Sequence, residues 1–172
     1  MAASFGGYSI LLSLALVSML IAPSSAGRNA NLRQVCSRTH DRSRCMRLLV
    51  PETRYSDGDA RSIAEAAINL AYRKAREITS SGGDDSAAWR FSCTRNYGKA
   101  IRGLDRSRRL LNDGDYRRVA RQVDETMEEA RRCRRRLDGF SGDYDFAKRR
   151  NKEFEVLCSA VKVCAKILSS DN

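Results

Sequence analysis

Apolar residues recur along this chain at steps of three and four, the signature of helices with one buried face. The clearest run begins near residue 57, where Ala60, Ile63, Ala64, Ala67, Ala71, Ala75 and Ile78 fall on one face. Ser56, with Asp59 three residues on, is the expected N-cap of this helix. The loop Ser80-Ser81-Gly82-Gly83-Asp84-Asp85 ends it. A second helix from about Ala87 presents Cys93, Tyr97, Ala100, Leu104 and Leu111, with the small Ser107 between. A third from about Tyr116, capped by Asp115, presents Tyr116, Val119, Val123, Met127, Ala130, Cys133 and Leu137. After a turn at Gly139 to Asp143, a fourth from about Tyr144 to Leu168 presents Phe154, Leu157, Cys158, Val161, Cys164, Ala165 and Leu168. No alternating pattern competes. The fold class predicted is all-α, an up-down-up-down four-helix bundle.

The cysteines sharpen this picture. The midpoint between Cys93 and Cys133 falls in the turn Asn112-Asp113-Gly114-Asp115. An antiparallel helical hairpin folded there brings both cysteines to one height on facing helices, within reach of a disulfide. Both also lie on apolar faces. Upstream, Cys36 and Cys45 enclose eight residues, and Leu48-Leu49-Val50-Pro51 closes that segment. Residues 27–56 therefore read as two short helical pieces folded back and pinned by Cys36–Cys45, with Pro51 as the helix stop. Cys158 and Cys164 are six residues apart on one helix, which separates them by about 9 Å along the axis. They cannot pair with each other, and they are expected to be free, buried thiols rather than partners of another chain's cysteines.

Residues 1–26 read as a secretory signal peptide. Ile10 to Ala22 is apolar, and Ser24-Ser25-Ala26 supplies small residues for cleavage. Residues 27–172 are then a single domain, made of the N-terminal hairpin 27–56 and the bundle 57–172. No second apolar run follows, so no membrane segment is expected after cleavage. An oxidising destination favours disulfides.

Of 172 residues, 32 are Lys or Arg and 21 are Asp or Glu, a net charge of +11. Arg far outnumbers Lys. Such a surface favours anionic partners. The run Arg131 to Arg136 raises nucleic-acid binding, which the signal peptide and the central cysteine argue against.

Catalytic chemistry is hard to assemble. The one histidine, His40, sits inside the Cys36–Cys45 loop, leaving no Ser-His-Asp or Cys-His set. Zinc at Cys36, His40 and Cys45 falls short of the four ligands of a structural site. Glu128 and Glu129 read as helix partners of nearby arginines rather than paired acids. No enzyme, cofactor or metal is expected.

Several stretches resemble a known family. These are Cys36-x8-Cys45, Asp59-Ala60-Arg61-Ser62-Ile63-Ala64, and Cys93 through Leu104. They continue with Gly114-Asp115-Tyr116, Cys133, and Asn151-Lys152-Glu153-Phe154-Glu155-Val156-Leu157-Cys158. Together they resemble the plant invertase and pectin methylesterase inhibitor domain. The resemblance implies a secreted inhibitor of a plant carbohydrate-active enzyme, placed in the apoplast or cell wall rather than the vacuole. Its partner would be a pectin methylesterase or, as the alternative, an acid invertase. A third reading is a non-inhibitory basic wall protein that binds anionic pectin. Where the family's cell-wall invertase inhibitors carry Pro-Lys-Phe, this chain has Tyr116-Arg117-Arg118, which is closer to the pectin methylesterase branch. The resemblance points to the 87–137 hairpin as the contact face, with Asn96, Lys99, Asp115 and Tyr116 as partner-binding residues. Arg132 and Arg135 flank Cys133 where that branch carries Thr and acidic residues, so they are expected to bias the choice of target by charge.

Overall fold

The computed structural model of the chain describes residues 25–54, 56–80, 87–139 and 145–170. Six helices account for nearly all of them: α1 (Ser25–Ser37), α2 (Arg42–Glu52), α3 (Ala60–Ser80), α4 (Ala87–Asn112), α5 (Tyr116–Leu137) and α6 (Asp145–Ser170). Helices α3 to α6 pack as a ring in which each touches the next and α6 closes onto α3. The expected signal peptide lies outside the described residues, except that Ser25 and Ala26 begin α1. Most of the Ser80–Asp85 and Gly139–Asp143 loops also fall outside them, although Ser80 is still helical.

The helix α3 starts later than its sequence suggests. Ser56 does not cap it; its hydroxyl donates to the Thr53 carbonyl at 3.1 Å. Asp59 is the cap, accepting from the Ser62 amide at 2.6 Å. Gly58, at φ 73°, makes the bend just before it, a conformation that costs Gly little. Pro51 also does not stop α2, which continues to Glu52. In the last turn the missing proline N–H removes one bond only, and Thr53 closes the helix through its amide to the Leu49 carbonyl at 3.0 Å.

The hairpin α1–α2 is tied internally and to the bundle. Cys36 and Cys45 are bonded, with Cα atoms 5.5 Å apart. Leu32, Val35 and Leu49 are buried in the same core as the bundle helices. The Asn31 amide donates to the Gly58 carbonyl at 3.0 Å, fastening α1 to the entry of α3.

Burial follows the predicted faces of α4 and α5 closely. Elsewhere it goes further. Ile68 and Leu70 of α3 are buried as well, because α3 also meets the N-terminal hairpin. The helix α6 is buried on nearly every side between residues 153 and 161. It packs against α3, α5 and both hairpin helices, which makes it the central element of the fold.

That burial includes polar groups. The Tyr97 hydroxyl donates to Asn151 Oδ1 at 2.8 Å, and the Asn151 amide donates to Glu155 Oε1 at 2.6 Å. Arg134 Nη1 reaches both oxygens of Glu155, at 2.9 and 3.1 Å. This chain of partners joins α4, α6 and α5, so the buried polar groups are satisfied across helices. The Tyr97 ring also meets Phe154 edge-on, with centroids 5.4 Å apart. Asn151, Phe154 and Glu155 therefore have structural reasons to stand in the last helix.

Candidate recognition surface

The hairpin α4–α5 is built from a turn, a crossing point and a staple. At the turn, the Asp115 amide donates to the Leu110 carbonyl at 2.9 Å and the Gly114 amide to the Leu111 carbonyl at 3.2 Å. Gly114 has φ 74°. This is a Schellman ending, which places Gly at the left-handed position. Asp115 then begins the next helix at once, accepting from the Arg118 amide at 3.3 Å. Gly-Asp-Tyr at this point is a junction that ends one helix and caps the next.

At the crossing, Gly103 faces Thr126. A Cβ on Gly103 would overlap the Thr126 hydroxyl and lie 3.2 Å from its Cβ. At the staple, Cys93 and Cys133 are bonded, with Cα atoms 4.9 Å apart.

The surface over this hairpin is organised by two carboxylates. Glu129 accepts from Asn96 Nδ2 at 2.7 Å and from Arg132 Nη1 at 2.8 Å. Lys99 Nζ lies 3.9 Å from it. Glu128 accepts from Arg135 Nη2 at 2.8 Å, and Arg132 Nε stands 3.9 Å away. The hydrogen bond from Arg135, reinforced by the charges of Arg131 and Arg132, holds the Glu128 carboxyl below its usual range.

Four sequence-predicted residues are thereby gathered at the staple end: Asn96, Lys99, Arg132 and Arg135. Asn96 differs from the expectation of a surface contact. It is only 5 % exposed, and Arg136 Nη1 also donates to its Oδ1 at 3.5 Å. Its side chain is turned to Glu129, which it holds by the hydrogen bond above. Asp115 and Tyr116 lie at the turn end, about 20 Å away along α5. A standard interface of about 800 Å² per partner is wide enough to cover both ends. In the sequence, Glu128 and Glu129 are visible only as helix partners of nearby arginines. The hub role of Glu129 arises across the helix pair, from Asn96 and Lys99, thirty or more residues away in sequence.

Between the two ends runs a shallow groove of about 230 Å³ with Gly103 and Thr126 among its lining residues. Lys99, Arg102 and Arg106 line it from α4, and Gln122, Glu125 and Glu129 from α5. So charged a lining does not suit a small apolar ligand. Among the described residues no group of three or more His, Cys, Asp or Glu could hold a metal ion. His40 is exposed and Cys36 and Cys45 are bonded to each other. The free thiols Cys158 and Cys164 are buried. No described helix is long and apolar enough to cross a membrane.

Comparison with known proteins adds three findings. A family model described as plant invertase/pectin methylesterase inhibitor matches residues 30–171. A curated protein from Actinidia deliciosa, named pectinesterase inhibitor, is 25 % identical over 184 aligned positions, covering 98 % of each chain. Two crystal structures of Arabidopsis pectin methylesterase inhibitors share the fold at 18 % identity. One, a mutant form, has a TM-score of 0.67 and covers 77 % of this chain and 93 % of its own. The other has a TM-score of 0.59, with 81 % and 96 % covered.

Proposed function

This chain belongs to the plant invertase/pectin methylesterase inhibitor family, a family of inhibitor proteins rather than enzymes, and on that premise we propose that it inhibits a pectin methylesterase. In this reading it is secreted to the apoplast or cell wall, with residues 1–26 removed and residues 27–172 forming one inhibitor domain. It acts by forming a surface complex through α4 and α5.

The observation that carries the choice of target is the end-to-end match to a pectinesterase inhibitor, 98 % of both chains. The arginines flanking Cys133 count less against it than their sequence implies. Arg132 and Arg135 are each paired with a carboxylate of the same helix, Glu129 and Glu128, so the positive charge a partner meets there is partly offset. Lys99, Tyr116, Arg132 and Arg135 would touch the enzyme, while Asn96 and Asp115 hold the surface in shape.

The test is to titrate the oxidised protein into a pectin methylesterase assay and an acid invertase assay side by side. Saturable inhibition of the esterase with invertase unaffected is the expected result. Inhibition of invertase alone would transfer the chain to the other branch of the family. Inhibition of neither enzyme would leave the inhibitor reading without support.

A further inference from the structure

Five cations form a row along α4: Arg95, Lys99, Arg102, Arg106 and Arg109. Their spacing alternates four, three, four and three residues, so they share one helical face. All five are exposed. At the rise of an α-helix the row spans about 21 Å, with one charge every ~5 Å.

Among the described residues little neutralises them. Among the described residues no carboxylate pairs with Arg95, Arg102 or Arg109. Arg106 donates to the neutral Gln122 at 3.1 Å, and Lys99 stands 3.9 Å from Glu129. The acidic groups beside the row are Asp105 on its flank, and Glu125 and Glu129 across the groove. Glu129 is already held by Arg132 and Asn96.

Between Arg95 and Arg109 the row offers no exposed apolar anchor. Of the apolar side chains on this stretch of α4, Tyr97 and Leu104 are buried and Ile101 is half-buried. Protein interfaces concentrate their energy in anchors desolvated within packed pockets, whereas all five of these cations stand in solvent. An even line of hydrated cations suits a stiff polyanion bound through its charges.

We propose that the Arg95–Arg109 row binds a stretch of linear carboxylated polysaccharide, a polyuronate, laid along α4. The choice of a carboxylated sugar rests on the inhibitor reading above. Hydrolysis of a methyl ester leaves a carboxylate, so the target enzyme converts neutral positions of its polymer into the groups this row recognises. The row would then concentrate the inhibitor where the esterase has already acted.

The oxidised protein is titrated with end-labelled polygalacturonate oligomers, without any enzyme, at about 50 mM and about 200 mM salt. Two variants of equal charge are compared, both made at exposed positions. One is R95Q/R102Q/R109Q in the row, and the other is R33Q/R38Q/R42Q on the N-terminal hairpin. The row variant is expected to bind about tenfold or more weakly at the lower salt, with a flatter salt dependence, and the hairpin variant to stay within about twofold of the parent. Fully methyl-esterified pectin should not bind. Polyglutamate with the same number of carboxylates should bind more weakly, because a flexible chain loses more entropy on being laid straight. Equal losses in the two variants would overturn the proposal in favour of net charge alone. Polyglutamate binding as tightly as polygalacturonate would overturn it in favour of an acidic protein surface. Loss of esterase inhibition in the row variant with polygalacturonate binding intact would overturn it and leave the inhibitor reading standing. Row-dependent polygalacturonate binding by a protein that inhibits neither enzyme would support the row and defeat the inhibitor reading.

Discussion

Gly103 and Thr126 meet so closely that a Cβ on Gly103 would overlap the Thr126 hydroxyl. The threonine cannot easily turn away, since that hydroxyl donates to the Gln122 carbonyl at 2.8 Å. Ala in place of Gly would normally stabilise a helix by about 1 kcal/mol. Here overpacking of about 1–3 kcal/mol opposes it, so Gly103→Ala is expected to be net destabilising. Adding Thr126→Ala should recover most of the loss. Urea unfolding of the two single variants and the double closes the cycle, and additive effects would show that the two residues do not set the helix approach.

The same two helices are held by Cys93–Cys133. In the chain-entropy account, a loop with sequence separation 40 contributes about 4 kcal/mol, and the Cys36–Cys45 loop of separation 9 about 3 kcal/mol. Paired replacement by Ala should therefore cost more at 93 and 133 than at 36 and 45. The first replacement should also weaken inhibition, because the carboxylate that gathers Asn96, Lys99 and Arg132 lies one turn from Cys133. Denaturation midpoints and inhibition constants for the two double variants check both statements.

Spacing alone makes the α4 and α5 faces legible, because each of these helices has one side in water and one in the core. It serves less well for α6. That helix is enclosed on most sides, and its Asn151, Glu153 and Glu155 look like solvent-facing positions. Their partners lie far away in sequence: Tyr97 for Asn151, Lys74 for Glu153 and Arg134 for Glu155. No local pattern reveals such pairings. The start of α3 differs from expectation for another reason. Ser56 and Asp59 are both good caps, and the choice is settled by the bend at Gly58, which spacing does not encode. At the candidate surface, Lys99, Arg132 and Arg135 are legible as exposed charges. The burial of Asn96 is not, because it depends on Glu129 reaching across from the neighbouring helix.

The Tyr97–Asn151–Glu155 chain should behave as one unit. Asn151→Leu removes the acceptor for the Tyr97 hydroxyl and one donor to Glu155, leaving buried groups short of partners at about 2–4 kcal/mol. Tyr97→Phe alone should cost about 1 kcal/mol. The double variant should be less destabilised than the sum, since a leucine side chain at position 151 offers no polar group for residue 97 to satisfy. Strict additivity in thermal or urea unfolding would argue that the network is not coupled.

The buried thiols make the fold sensitive to alkali. Burial, with the nearby Glu155 charge, pushes Cys158 well above its ordinary value, and burial pushes Cys164 up to about 12 from 9.0. A raised pKa means that the unfolded chain releases its proton first. Stability is thus fully present below pH 9.0, the ordinary thiol value, and declines as pH rises from there toward the folded-state values. Tyr97, also raised by burial, adds to the decline above its ordinary value of 10.0. Cys158→Ala with Cys164→Ala should flatten the fall in unfolding free energy between about pH 9 and about pH 11, whatever it costs in packing. In native buffer both thiols should react with a thiol reagent only on the timescale of unfolding, and rapid labelling would contradict their burial.

Arg132 and Arg135 offer the most direct test of the recognition surface. Their side chains are 50 % and 59 % exposed, and exposed pairs of this kind contribute about 0–1 kcal/mol. Arg132→Thr with Arg135→Asp should therefore leave the fold nearly unchanged. Asn96 and Lys99 still hold Glu129 in place, so the shape of the surface survives while its charge does not. The variant loses two cations, gains one anion, and leaves Glu128 and Glu129 without these two arginine partners. If this surface faces the target, the change acts first on encounter. Inhibition of a basic pectin methylesterase should strengthen by about threefold to tenfold at low salt, mostly through a faster association rate, and inhibition of an acidic enzyme should weaken. Both effects should shrink as the screening length falls below about 8 Å above physiological ionic strength. The measurement is a pair of inhibition constants for parent and variant, on one basic and one acidic enzyme, at two salt concentrations. Identical constants on both enzymes at low salt would mean that the arginines flanking Cys133 serve only Glu128 and Glu129, and that the partner is met elsewhere on the bundle.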